Sequence, residues 1–111
     1  MNIEDLIYLI KPGESEKLEF KEKVVKNIHH EIAAFANSEG GTILVGISDS
    51  GKIIGTNVKD AIEKITSSIQ STMPPPRIQT QKISIDGKDI LVITVEKGAT
   101  LCSIGGVVYI R

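Results

Sequence analysis

Apolar residues recur along this chain with two different periods, and the switches between them lay out the secondary structure. Ile3, Leu6, Ile7 and Ile10 have the spacing of one helix face, and Lys11-Pro12-Gly13 ends the pattern with residues that cannot carry it further. Residues 17–22 then alternate strictly, with Leu18 and Phe20 on one face and Lys17, Glu19 and Lys21 on the other, which predicts a half-buried strand. From Val25 the period lengthens again through Ile28, Ile32, Phe35 and Ala36, predicting a helix of about four turns that Gly40-Gly41 stops. Residues 42–48 form a nearly unbroken apolar run, expected of a central strand covered on both faces.

Asp49-Ser50-Gly51 reads as a tight turn into a second short strand at residues 52–54. Val58, Ile62, Ile65 and Ile69 mark another helix, ended by Pro74-Pro75-Pro76. Residues 77–85 and 89–95 predict a hairpin turning through Asp86-Gly87-Lys88, and Val107 to Ile110 reads as a last strand. Strands separated by a helix can run parallel, whereas a hairpin is antiparallel. The expected class is therefore α+β: one domain over residues 1–111, with a mixed sheet packed against two main helices and a short N-terminal helix.

Composition narrows the functional classes. Thirteen Lys and Arg against fourteen Asp and Glu give a formal charge of −1, so no global basic field marks a nucleic-acid partner. Two Phe, two Tyr and no Trp leave little material for stacking unpaired bases, so any nucleic-acid binding would rest on phosphates. Isoleucine and valine outnumber leucine, which favours a sheet-built core. Cys102 is the single cysteine and cannot form an internal disulfide. The first residues lack a basic leader, and no stretch approaches the roughly 18 apolar residues of a membrane span. Cytoplasmic localisation without membrane association is the expectation.

Candidate chemistry is mainly acidic. Glu14 precedes the first strand, Glu19 projects from it, and Asp49 stands where the buried second strand emerges. Carboxylates gathered at one sheet edge can hold Mg²⁺ or Mn²⁺ beside a phosphate, and Lys21, on the same face as Glu19, can neutralise phosphate charge. The plainer reading is that alternating Lys and Glu solvate an exposed strand face. Residues 46–52 nearly spell a phosphate-cradling loop, but Ile53 replaces the hydroxyl residue and no helix follows, so no ATP is expected. His29 and His30 lie beside the apolar stripe of their helix without a metal-ligand spacing. No nucleophile motif surrounds Ser15, Ser38 or Cys102. Lys17, Lys21, Lys23, Lys26 and Arg77 would make a nucleic-acid groove only if the sheet gathers them on one side.

Several of these features recur together in one family. The runs Gly13-Glu14-Ser15-Glu16-Lys17-Leu18-Glu19-Phe20-Lys21, Ala34-Phe35-Ala36-Asn37-Ser38-Glu39-Gly40-Gly41 and Ile43-Leu44-Val45-Gly46-Ile47-Ser48-Asp49-Ser50-Gly51, with Ile54-Gly55 and the closing Tyr109-Ile110-Arg111, resemble the Schlafen-type AlbA-like domain over essentially the whole chain. The resemblance implies an AlbA-like fold and a nucleic-acid partner, either structured RNA or duplex DNA. It also implies a three-carboxylate metal site at Glu14, Glu19 and Asp49 with Lys21 beside it, taking Mg²⁺ or Mn²⁺, as in Schlafen endoribonucleases that cut transfer RNA. Bacterial and archaeal relatives are instead described as transcriptional regulators or helicase-related proteins, which implies a non-catalytic DNA-binding module. Eukaryotic Schlafens pair two copies of the domain, so a single copy would need to form a homodimer to match them. A protein-interaction domain that pairs through an exposed sheet edge is the remaining expectation.

Overall fold

The computed structural model describes residues 1–111. Helix α1 (Ile3–Ile10) begins at Asn2 in a capping box with Asp5. Strand β1 (Leu18–Lys21) leads into helix α2 (Ile28–Ala36), strand β2 (Gly41–Val45), and helix α3 (Val58–Ser68), which tightens into a 3₁₀ turn at Ile69–Ser71. Strand β3 (Thr72–Met73), the hairpin β4 (Ile78–Ile85) and β5 (Lys88–Val95), and strand β6 (Ser103–Ile104) complete the chain. The main sheet has the order β1-β2-β5-β4: β1 and β2 are parallel across the α2 crossover, and the other neighbours are antiparallel. A second, two-stranded sheet joins β3 to β6. The α+β class and the mixed sheet agree with the sequence reading.

The period of two along β2 and β5 sorts their side chains into two cores. Ile43, Val45, Leu91, Ile93 and Val95 pack beneath α2 and α3 with Ile28, Ile32 and Phe35. Leu44, Ile90 and Val92 face the other way, with Leu18 and Phe20, and are covered by Leu6 of α1. Both faces of the sheet are thus roofed. As a result the charged face of β1, expected in solvent, is half-buried: Glu19 and Lys21 share the α2 side with their register partners Ile43 and Val45.

Four local expectations are corrected. Helix α2 starts at Ile28 rather than Val25, because Val24 turns into the core and Asn27 becomes the N-cap. Residues 52–54 form no strand beyond one bridge between Ile53 and Ile47. The central strand ends at Val45, where Gly46 adopts a φ of 102°. Residues 107–110 are not a strand either, since only Val107 pairs, with Ile104, and the rest is anchored by side chains. The hairpin is as expected: Asp86 and Gly87 both have positive φ, the pairing geometry of a two-residue turn.

The junction between α2 and β2 depends on two glycines. Gly40 has a φ of 75° and its N–H donates to the Phe35 carbonyl, closing the helix. At Gly41 a Cβ would fall on the Phe35 ring and 2.8 Å from the Lys17 carbonyl oxygen, so only glycine lets β2 pass between the helix and β1.

Candidate active site and nucleic-acid interface

The turn before β1 brings Glu14 back onto the strand it precedes. Ser15 and Leu18 bridge each other, and Glu14 Oε2 accepts a hydrogen bond of 3.0 Å from the Phe20 N–H. This places the Glu14 carboxyl beside that of Glu19, close enough for the two to share a hydrogen bond. Burial, and then the adjacent Glu14, push Glu19 up to about 7, against the pull of Arg111. Glu14 is lowered, chiefly by its hydrogen bond with Glu19 and also by the Phe20 N–H. At pH 7 the Glu19 carboxyl is therefore about half protonated, and Glu14 is the ionised member of the pair.

Cations flank the pair. Lys21 Nζ lies 2.6 Å from Glu31 Oε1 on α2. Burial disfavours the Lys21 ammonium, yet Glu31, Glu19 and Glu14 together raise its pKa. Arg111 Nη2 stands 3.5 Å from Glu19 Oε2, and its guanidinium lies over the Phe35 ring at 4.3 Å. The same guanidinium donates to the carbonyls of Ser15, Glu16 and Leu18, at 2.8, 3.2 and 3.3 Å. Arginine is suited to this place because a planar fork can stack and donate in several directions at once.

The segment that delivers Arg111 is held by α2. Asn37 Nδ2 donates to the carbonyls of Cys102 and Tyr109, both at 2.9 Å, while Asn37 Oδ1 accepts from the Cys102 N–H at 2.6 Å. Tyr109 stacks on His30 with ring centroids 4.4 Å apart. A groove of about 390 Å³ opens beside this strap, lined by Glu31, His30 and Arg111 among others.

Asp49 is not part of this arrangement. It is exposed on a turn that folds toward α1, where Gly51 packs against Ile10 and the Phe20 ring, whereas Glu19 lies on the α2 side of the sheet. Besides Glu14, the acid near Lys21 and Glu19 is Glu31, and one of its carboxylate oxygens, Oε2, is buried without a hydrogen-bond partner. No three His, Cys, Asp or Glu side chains stand close enough to hold a metal ion together. Glu14 is spent on the Phe20 N–H, Glu19 on Arg111, and Asp49 stands apart, so the three do not assemble the hard-oxygen ligand set that Mg²⁺ or Mn²⁺ requires. As arranged, the residues do not fit the metal.

The expected cationic groove is also dispersed. Lys21 is taken up by Glu31. Register places Lys17 and Arg77 at one end of the sheet on opposite edges, with Lys23 and Lys26 beyond the other end. Sequence reasoning missed Glu31, Asn37 and Arg111. Only the closing Tyr109-Ile110-Arg111 and the Asn37-containing run carried any signal, through resemblance; the pairing of Glu31 with Lys21 is tertiary and leaves none.

A family model described as Schlafen, AlbA_2 matches residues 14–111, the span from Glu14 to Arg111. The chain belongs to this family. Among solved structures it is similar to the crystal structure of the DIP2311 protein from Corynebacterium diphtheriae, with a TM-score of 0.66 and 19% identity over 98% of this chain and 25% of that one. It is also similar to the solution structure of the N-terminal domain of an ATP-dependent DNA helicase RecG-related protein from Nitrosomonas europaea, with a TM-score of 0.66 and 20% identity over 87% of this chain and 74% of that one. These likenesses establish a shared fold. The chain spans a quarter of the length of the Corynebacterium protein. No curated protein matches the sequence. No helix is long and apolar enough to cross a membrane.

The shared proton has a measurable consequence. For Glu19 the folded-state value, about 7, lies above the ordinary 4.5, so the folded form holds a proton that the unfolded chain releases. This contribution favours folding at acid pH and is lost as pH rises from about 4.5 through 7. His29 acts oppositely, because burial and His30 lower its pKa and stability falls as pH drops below its ordinary value. The difference between wild type and Glu19→Gln isolates the first term: wild type should lose thermal stability relative to the variant between pH 5 and pH 8. Parallel melting curves would remove the shared-proton description.

Proposed function

We propose that this Schlafen AlbA_2 domain is a nucleic-acid-binding module that engages phosphate backbones of structured RNA or duplex DNA without cleaving them. The observation that carries the reading is Arg111 seated on Glu19, with Glu14 spent on the Phe20 N–H and Lys21 on Glu31. In this arrangement the acids organise the strand and the C-terminal strap, leaving other surfaces to meet phosphate. The family match supports a nucleic-acid partner, and the neighbour from a helicase-related protein is consistent with the non-catalytic alternative.

A metal-dependent endoribonuclease is the second reading, favoured by the adjacency of Glu14 and Glu19. It requires Arg111 to leave Glu19 and Asp49 to move to the α2 side. Incubation with transfer RNA and Mn²⁺, beside a Glu19→Ala variant, separates the two. Binding in a gel shift with no cleavage by either protein is the expected result. Cleavage by wild type that Glu19→Ala abolishes would replace the binding reading with the catalytic one. We also propose a homodimer and a cytoplasmic location, checked by light scattering and cell fractionation.

A further inference from the structure

The surface grooves differ in charge, and the difference identifies where phosphate can lie. The four other main grooves are each lined by at least one carboxylate: Glu96, Glu31, Asp89 and Glu4 each border a different one. The groove between the start of α2 and the end of α3 is the exception. Its volume is about 520 Å³, and its polar lining is Lys26, His29, Lys64, Ser67, Ser68 and Ser71, with no acid among them. Lys26 and Lys64 are exposed, and Lys64 is tied only to Asp60, 3.0 Å away in a solvent-exposed pair of the kind worth little. Ser68 and Ser71 donate to backbone carbonyls of their own helix, which leaves the exposed Ser67 hydroxyl as the free donor.

The groove also adjoins the one beside the C-terminal strap. His29 lines it and meets His30 edge-on at 4.5 Å; His30 in turn stacks on Tyr109 and lines the groove that Glu31 and Arg111 border.

We propose that the α2–α3 groove is the phosphodiester-binding track of this domain, with Lys26, Lys64 and Ser67 contacting successive backbone phosphates. The inference rests on the nucleic-acid-binding reading and names the surface that performs it. It departs from the strand-centred lysines of the sequence: Lys21 is replaced by Lys64, which lies on the other helix. Phosphate is common to RNA and DNA, so the track should serve both.

The test measures affinity for a fluorescein-labelled RNA hairpin and a labelled DNA duplex as a function of KCl concentration, by anisotropy. Lys26→Ala/Lys64→Ala should flatten the log–log salt slope on duplex DNA by about 1.8, two phosphate contacts' worth, and should weaken hairpin binding as well. Ser67→Glu/Ser71→Glu, which leaves the lysines in place, should weaken binding about tenfold or more at moderate salt. Lys52→Ala/Lys88→Ala, an equal charge loss at exposed positions that do not line this groove, should leave the slope unchanged. All six positions are exposed, and a melting curve for each variant verifies folding. Binding by wild type with an unchanged slope in the Lys26/Lys64 variant would overturn the track alone. Equal losses in the groove and control variants would do the same. Absence of wild-type binding to either probe would overturn both the track and the nucleic-acid reading beneath it.

Discussion

Phe35→Ala should cost about 3–5 kcal/mol of stability, the usual range for deleting a buried aromatic ring. Phe35 is wholly buried. Its ring fills the space under α2, abuts Gly41 where β2 begins, and carries the Arg111 guanidinium on one face. A small domain has about 5–15 kcal/mol in total, so the variant should melt far below wild type or fail to fold at working temperature. Chemical denaturation monitored by far-UV circular dichroism gives the number. A loss below about 1 kcal/mol would mean that the ring is not the centre of this core. The same substitution removes the cation–π floor of Arg111, so any folded fraction should also show a looser C-terminal strap.

Asn37→Ala should have the second largest effect, and a more local one. The side chain makes three hydrogen bonds to the backbone of the last ten residues, and its loss leaves two carbonyls and one N–H without partners. At about 1 kcal/mol for each bond, the expected destabilisation is about 3 kcal/mol. Because the groups left unpaired belong to the strap's own backbone, the cost should appear first as loosening of its 102–109 stretch from α2. In hydrogen exchange, amides of residues 102–111 should lose protection while those of β2 and β5 keep theirs. Uniform loss of protection throughout the chain would show instead that Asn37 supports the whole fold. Asn37→Asp keeps the acceptor for the Cys102 N–H but sets an anionic oxygen against the two carbonyl oxygens, so its loss at neutral pH should be at least that of the alanine variant.

These two residues show what the sequence could and could not convey. Period-two and period-3.6 patterns located α1, β1, α3, the hairpin and the buried central strand, because such elements are set by which positions face the core. Boundaries failed where a single tertiary contact decides: Val24 turning inward shortens α2, and side-chain anchoring replaces the strand expected at residues 107–110. Within the candidate site, the adjacency of Glu14 and Glu19 was foreseeable, since one precedes and one occupies the same short strand. The separation of Asp49 was not. Residue spacing along β2 says where its turn begins, but which face the turn folds toward depends on Gly51 meeting Ile10 of α1. Likewise the partner of Lys21 is Glu31, ten positions later on another element, and alternation in β1 contains nothing about it.

A near-zero net charge remains compatible with phosphate binding because one groove is lined by cations and hydroxyls without an acid. Glu14, Glu19 and Glu31 gather beside β1, while Lys26 and Lys64 border the one major groove without a carboxylate. Local charge, not the total, meets a phosphate within a Debye length of about 10 Å at moderate salt.

The salt dependence of binding by the unmodified protein addresses the central claim most directly. Affinity for a labelled RNA hairpin and for a duplex of similar length should fall linearly as log salt rises, because each phosphate contact releases condensed counterions. A negative slope on both probes, with no turnover during the titration, is the result predicted here. A flat dependence, or no binding to either probe at low salt, would contradict it.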